Sequence, residues 1–211
     1  VTGRSKNRRG AARIAALLAL PLAAAVALTG CSGGNDSLPE QWKDGGGKGY
    51  ISGDGSSVSI PPAERKDPVE YSGKTEDGST FGSKQTLGHV TVVNFWYAGC
   101  APCRVEAKDL NTAQKEFAPK GVEFVGVNTR DQAAQAQQFS EEFGVKYPSI
   151  LDVEGDRGVQ RAFAGAIPLN ATPVTLVLDA EGRVAHRVLG QLADAGQLRS
   201  MLNETLAEKT Q

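Results

Sequence analysis

The sequence predicts an α/β domain in which helices cover a mixed β-sheet. Three observations carry this reading. Two nearly continuous β-branched and aromatic runs, His89–Trp96 (HVTVVNFW) and Val122–Asn128 (VEFVGVN), read as strands buried on both faces. Between them, Cys103–Phe117 places Ala107, Leu110 and Phe117 on one helical stripe, which gives a strand–helix–strand unit. Farther on, Pro173–Asp179 (PVTLVLD) and Val184–Leu189 flank the turn Ala180-Glu181-Gly182-Arg183 as an antiparallel pair, and Asp194–Leu206 reads as a closing helix.

The remaining elements follow in order. Val69–Thr75 and Ser79–Phe81 predict a hairpin around Glu76-Asp77-Gly78, because Asp-Gly suits a tight turn. Asp131 is expected to cap a helix running to about Phe143. Ser149–Leu151 reads as a short extended piece, with Asp152 as a candidate cap for a helix over 154–163. On this pattern the folded domain covers 67–211. Residues 31–66 hold Gly45-Gly46-Gly47, Ser56-Ser57 and Pro61-Pro62 among few apolar side chains, so they read as a flexible tether. An alternative for part of it is a strand pair, Tyr50-Ile51 and Val58–Ile60, lying on the domain around Asp54-Gly55.

The first 30 residues read as an export signal. Arg4, Lys6, Arg8, Arg9 and Arg13 precede an apolar run, Ile14–Leu28, that is short for a membrane span and contains Pro21. Leu28-Thr29-Gly30-Cys31 resembles the bacterial lipoprotein box, which implies a lipid on Cys31. An uncleaved N-terminal anchor is the alternative. Arg8-Arg9 leaves both Sec and twin-arginine export open. The 211 residues carry a net charge of -1. Without the five basic residues of the leader, 18 basic face 24 acidic residues, a balance of -6 that argues against a nucleic-acid binder.

The chemistry concentrates at Cys100-Ala101-Pro102-Cys103. Two cysteines two residues apart at a strand-to-helix junction read as a redox pair. The first sulfur meets the unpaired N–H groups and positive dipole end of the helix, where a thiolate is stabilised. The second lies one turn on, within reach of a mixed disulfide. Cys100 is therefore expected to be the attacking and more exposed thiol, and Cys103 the buried, resolving one. Arg104 is expected to add positive charge nearby. Zinc would need a second ligand pair, and c-type haem attachment would need His at position 104, where Arg stands. The remaining alternative is a structural disulfide. No metal is expected, and no cofactor beyond a redox-active Cys100–Cys103 disulfide. His89 and His186 read as strand-edge or solvent residues. Phe95 and Trp96 read as core, with Trp96 also flanking the active site as a substrate contact.

Residues 94–106 (NFWYAGCAPCRVE) resemble the thioredoxin superfamily, and within it the membrane-tethered TlpA/ResA-type thiol–disulfide oxidoreductases. The resemblance runs over about 69–207. It implies a thioredoxin-like fold: a mixed central sheet flanked by helices, with an N-terminal hairpin and an inserted helix. It implies that Thr172-Pro173 is the cis-proline loop beside the cysteines, where the backbone of Thr172 pairs with substrate. An ordinary trans proline opening a strand is the alternative. It also implies a role for Glu106 in exchanging protons with the thiols, the alternative being a solvated helical Glu. Gly99 departs from the family, which usually has Trp before the first cysteine, and this bears on substrate selectivity.

The implied function is an extracytoplasmic, membrane-anchored enzyme that reduces disulfides of exported proteins. The resemblance includes apocytochrome c among these substrates and a membrane electron donor of the CcdA/DsbD type. A peroxiredoxin-like peroxide reductase is an alternative, although Tyr97 and Val93 stand where it needs Thr and Pro. A copper chaperone or scaffold on the same fold is another, opposed by the close cysteine spacing.

Overall fold

The computed structural model describes residues 56–153 and 157–208. The leader, Cys31 and residues 31–55 of the expected tether lie outside the described residues, as do Tyr50-Ile51.

In chain order the elements are β1 (Ser57–Ser59), β2 (Ser72–Lys74), β3 (Thr80–Gly82), the short helix α1 (Ser83–Thr86), β4 (Thr91–Trp96), α2 (Ala101–Phe117), β5 (Glu123–Asn128), α3 (Ala133–Phe143), β6 (Ser149–Leu151), α4 (Gly158–Ala162), β7 (Val174–Leu178), β8 (Val184–Leu189) and α5 (Ala195–Glu208). The main sheet has the order β1-β8-β7-β4-β5-β6. β4 pairs parallel with β5 and antiparallel with β7, so the sheet is mixed and β4 lies inside it. The hairpin β2–β3 turns at Gly78 (φ 84°), as its Asp-Gly predicts. Its end docks on β6: Thr75 bridges Ile150, and the Ser149 N–H donates to the Glu76 carboxylate at 2.7 Å. That contact covers a sheet edge that would otherwise offer open pairing groups.

Strand alternation sorts the core into two layers. Val92 and Trp96 of β4, Phe124 of β5 and Val177 of β7 pack against Ala107, Leu110 and Phe117 of α2, Phe139 of α3 and Leu198 and Leu202 of α5. Val93, Phe95, Val125, Val127, Val174, Leu176 and Leu178 point to the other face, onto Val159, Phe163 and Tyr71. Both faces of β4 are thus buried, which is why its sequence reads as one apolar run.

The folded domain begins before residue 67, which corrects the boundary expected from composition. Ser57–Ser59 is an edge strand antiparallel to β8, so residues 56–66 belong to the domain and not to a tether. Arg65 bolts this segment down. Its Nε donates to the Ile60 carbonyl at 3.0 Å, one terminal nitrogen to Asp179 at 3.0 Å, and both to the Glu208 carboxylate at 2.7 Å. The Arg65 side chain is only 2% exposed. Arg65→Met should cost about 2 kcal/mol, below the usual range for an orphaned buried charge. The discount follows because Asp179 keeps Arg183 and Glu208 is partly solvated. Urea unfolding at pH 7 checks this.

His186 corrects a second expectation. β1 covers β8, so His186 is buried and neither an edge nor a solvent residue. Thr205 Oγ1 donates to the Met201 carbonyl at 2.9 Å and so accepts from His186 Nε2 at 3.1 Å. Nδ1 then accepts from Ser59 Oγ at 2.8 Å. The ring is held neutral: burial, then the Arg65 cation, push it down to about 4 against an opposing pull from Glu208. His89 is exposed, as expected, with Nδ1 3.0 Å from the Gly121 carbonyl.

Two capping expectations are revised. Asp131 does not cap α3, whose N-cap is Gln132. Asp152 does serve α4, but across a loop: its carboxylate accepts from the N–H groups of Val159 (3.1 Å) and Gln160 (2.8 Å). The helix itself is shorter than expected, Gly158–Ala162.

Candidate active site

β4 ends at Trp96 in the middle of the sheet, and the chain turns through Tyr97–Gly99 into α2. Cys100 is the N-cap of that helix, with Pro102 in its first turn. The Cys103 N–H donates to Cys100 Sγ at 3.2 Å, so the first sulfur takes up an orphan donor of the helix start. The two cysteines are disulfide-bonded, with Cα atoms 5.2 Å apart. The expected difference in exposure is absent: Cys100 is 3% and Cys103 2% exposed. What separates the sulfurs is position. Cys100 sits before the helix, while Cys103 lies inside its first turn and lines a small cavity with Asn94, Trp96, Ala107, Phe139 and Tyr147.

Asp131 has a different task from the one its sequence position suggests. Its carboxylate accepts from the Ala98 N–H at 2.5 Å and from Asn128 Nδ2 at 2.8 Å, pinning the turn that delivers Cys100. Arg104 does not lend a free charge to the sulfurs. It pairs with Glu142 at 2.7 Å and lies over the Phe143 ring.

Glu106 is fully buried, not solvated. It lies on the Cys103 face of α2, three residues on. One carboxyl oxygen accepts from Asn94 Nδ2 at 2.9 Å, the other from the Leu192 N–H at 3.0 Å. Burial pushes its pKa up to about 7, and the two hydrogen bonds only partly oppose this. Burial, with the Glu106 charge as a smaller contribution, also pushes the Tyr147 phenol up. Asn94 and Thr175 face each other in the β4–β7 register, and Asn94 Nδ2 also donates to Thr175 Oγ1 at 3.1 Å. Neither was singled out from the sequence. The available signal was a polar side chain within each of two apolar strand runs, since a buried polar group needs a partner.

Trp96 is not placed to touch substrate. It is 3% exposed, stacks on Phe139 with centroids 4.2 Å apart, and donates from Nε1 to Ser149 Oγ at 3.2 Å. Gly126 makes that bond possible, because a Cβ there would lie 2.2 Å from Ser149 Oγ and 2.7 Å from Trp96 Nε1. The substrate role expected of Trp96 is therefore withdrawn in favour of a core role. At Gly99 an added Cβ would meet only the Tyr97 ring, at 3.5 Å, so the space before the nucleophile is open.

Thr172–Pro173 is the one cis peptide among the described residues. Val174 pairs with Phe95, so Pro173 adjoins the end of β4 from which the cysteine turn departs. The Pro173 carbonyl accepts from Gly190 N–H at 2.9 Å, whereas the backbone of Thr172 has no partner among the described residues. Among those residues no group of three or more His, Cys, Asp and Glu is arranged to hold a metal, and no helix is long and apolar enough to cross a membrane.

The Redoxin family model matches residues 58–203. The chain belongs to that family. It is 36% identical over 108 residues to the thiol:disulfide interchange protein HelX of Rhodobacter capsulatus, a match covering 51% of this chain and 56% of HelX. It is 26% identical over 133 residues to the thiol-disulfide oxidoreductase ResA of Bacillus subtilis, covering 63% of this chain and 71% of ResA. The chain thus spans little more than half the length of HelX. Among solved structures, a DsbF homologue from Corynebacterium diphtheriae superposes with a TM-score of 0.65 at 28% identity, over 74% of this chain and 96% of that one. A secreted thiol-disulfide isomerase from Corynebacterium glutamicum gives 0.67 at 26% identity, over 76% and 99%. The thioredoxin-like fold and the TlpA/ResA resemblance expected from the sequence are both borne out by this Redoxin-family membership.

Proposed function

We propose that this Redoxin-family protein is an extracytoplasmic thiol–disulfide oxidoreductase that reduces disulfides of exported proteins through Cys100 and Cys103. The observation that carries this reading is a cysteine pair whose first sulfur caps α2 while a buried carboxyl, Glu106, stands one turn behind the second. The names of HelX and ResA support it.

The reduced Cys100 thiolate attacks one sulfur of the substrate disulfide. The substrate's other sulfur leaves as a thiolate and takes a proton. The Cys103 thiolate then attacks Cys100 Sγ, releasing the second substrate thiol and closing the protein disulfide, so two electrons pass to the substrate. The unpartnered backbone of Thr172 offers an extended substrate segment a pairing edge beside the cysteines. Glu106, neutral or charged near neutrality, takes the proton of Cys103 and returns it. Lipid on Cys31 would hold the enzyme at the membrane, near a donor of the CcdA/DsbD type, with apocytochrome c as one substrate implied by the family resemblance. Replacing Cys31 with Ala and fractionating cells tests the anchor. A variant processed and membrane-bound like the wild type would overturn it.

The activity is tested by mixing dithiol protein with a disulfide peptide and counting thiols. One substrate disulfide should be lost per protein disulfide formed. The potential of the pair should lie nearer the value of about -270 mV typical of thioredoxin than the roughly -120 mV of a strong oxidant. Glu106→Gln should slow closure of the mixed disulfide by about 10²-fold, the lower end for a lost general base. It should also remove the inflection near pH 7 from that step's pH profile. An unchanged profile would remove Glu106 from the mechanism.

A further inference from the structure

The ends of β5 and β6 carry a cleft of about 330 Å³ lined by Thr129, Arg130, Val153, Arg157 and Asn170. None of these residues serves the exchange chemistry described above. The cleft is nevertheless tied to both segments that frame the disulfide. On one side, Thr129 donates its N–H to the Trp96 carbonyl at 3.0 Å, and the Arg130 guanidinium stacks 4.2 Å over the Tyr97 ring, three residues before Cys100. On the other, Arg157 donates to the Asn170 side-chain oxygen, two residues before Thr172. One arginine therefore stands against the cysteine turn and the other against the cis-proline loop.

Arg130 and Arg157 are exposed residues, and neither has a carboxylate partner among the described residues. This is unlike Arg104, Arg183 and Arg199, each paired with an acid at 2.7–2.8 Å. The described acids closest in sequence are already engaged: Asp131 by Ala98 and Asn128, Asp152 by Val159 and Gln160. Arg157 (φ 53°) and Asn170 (φ 64°) are also the only non-glycine residues with positive φ among the described residues, and they are bonded to each other. Left-handed backbone at an arginine is uncommon and clusters at ligand clamps and active sites. A guanidinium is a planar fork of donors suited to a carboxylate.

We propose that this cleft is a specificity site, in which Arg130 and Arg157 bind the carboxylate of an Asp or Glu side chain next to a cysteine of the substrate disulfide. The site selects acidic disulfide segments while Cys100 attacks. The proposal rests on the thiol–disulfide exchange reading above.

The probes are three cyclic disulfide peptides identical except for one residue beside a cysteine: Glu, Gln or Lys. Each is mixed with dithiol protein, and the second-order rate constant is read by acid quench and alkylation. At low ionic strength the Glu peptide should react about tenfold faster than the Gln peptide, and the ratio should fall toward one in about 0.5 M salt, where the Debye length has shrunk to a few ångströms. Arg130→Gln with Arg157→Gln should bring the Glu-to-Gln ratio close to one. Arg130→Glu with Arg157→Glu should invert the preference toward the Lys peptide, a gain that a misfolded variant cannot produce. Equal rates for Glu and Gln with wild-type protein, or a Glu preference that survives both double variants, would overturn the specificity site while leaving exchange intact. Failure of wild-type protein to reduce any of the three peptides would instead overturn the exchange reading, and this proposal with it.

Discussion

Cys100→Ser protein is expected to show no disulfide exchange above background, whereas Cys103→Ser protein should accumulate mixed disulfides through Cys100. The asymmetry follows from where the two sulfurs sit on α2. Cys100 precedes the first helical residue, and its sulfur accepts the Cys103 N–H, so negative charge there is met by a donor and by the helix dipole. Cys103 lies within the first turn, against Trp96, Ala107 and Phe139, where an anionic sulfur is costly and a large disulfide cannot enter. A serine hydroxyl at 100 is not ionised near neutral pH and cannot form the mixed disulfide. A serine at 103 leaves the attack intact and removes only the group that resolves it. Mass spectrometry of the quenched Cys103→Ser reaction reads the trapped species. Trapping through Cys103 in Cys100→Ser protein, or preferential alkylation of Cys103 in the reduced wild type, would reverse the assignment.

The parts of the molecule legible in the sequence were those whose own residues carry the signal. β4, β5 and β7 announce themselves because burial of both faces leaves nearly continuous apolar runs. The cysteine pair is local in sequence and in space. Glu106 was found by its resemblance to a family pattern, and burial gives that position its physical content. The parts missed depend on partners far along the chain. At 57–59 the sequence offers a strand only as an alternative, Val58–Ile60, because what fixes it is an edge of β8, 127 residues away at the Ser59–His186 pair. Arg65 reads as one more basic residue until Asp179 and Glu208 converge on it. Asp131 looks like a helix cap in sequence, yet the Ala98 N–H 33 residues earlier competes for its carboxylate and wins. Trp96 next to the active-site turn suggested contact with substrate, but strand alternation sends it inward onto Phe139.

The pH dependence of stability should reveal two buried groups working against each other. Glu106 is shifted from 4.5 up to about 7, mainly by burial. His186 is shifted from 6.5 down to about 4, also mainly by burial. Both are therefore favoured in their neutral forms in the folded protein. For Glu106, the unfolded chain loses its proton near pH 4.5 while the folded chain keeps it to about 7. Its contribution is full below about 4.5 and is lost as pH rises through 7. For His186, the unfolded chain gains a proton near 6.5 and the folded chain resists to about 4, so its contribution is full above about 6.5 and is lost as pH falls through 4. Each swing is worth roughly 3 kcal/mol, at about 1.4 kcal/mol per unit. Between pH 4.5 and 6.5 the slopes have opposite sign and cancel. Glu106→Gln should uncover the histidine: relative to wild type, the variant's unfolding free energy should climb by about 3 kcal/mol between pH 4.5 and 7. His186→Gln should do the reverse, its unfolding free energy falling relative to wild type by a similar amount between about pH 4 and 6.5. Reading each variant as a difference from wild type removes the slopes of Glu76 and Asp77, whose shifts come from partners other than Glu106 and His186. Urea unfolding of the disulfide form at half-unit pH steps measures these differences. Variant curves that run parallel to the wild type would mean that water reaches these groups, and that neither is held neutral by the fold.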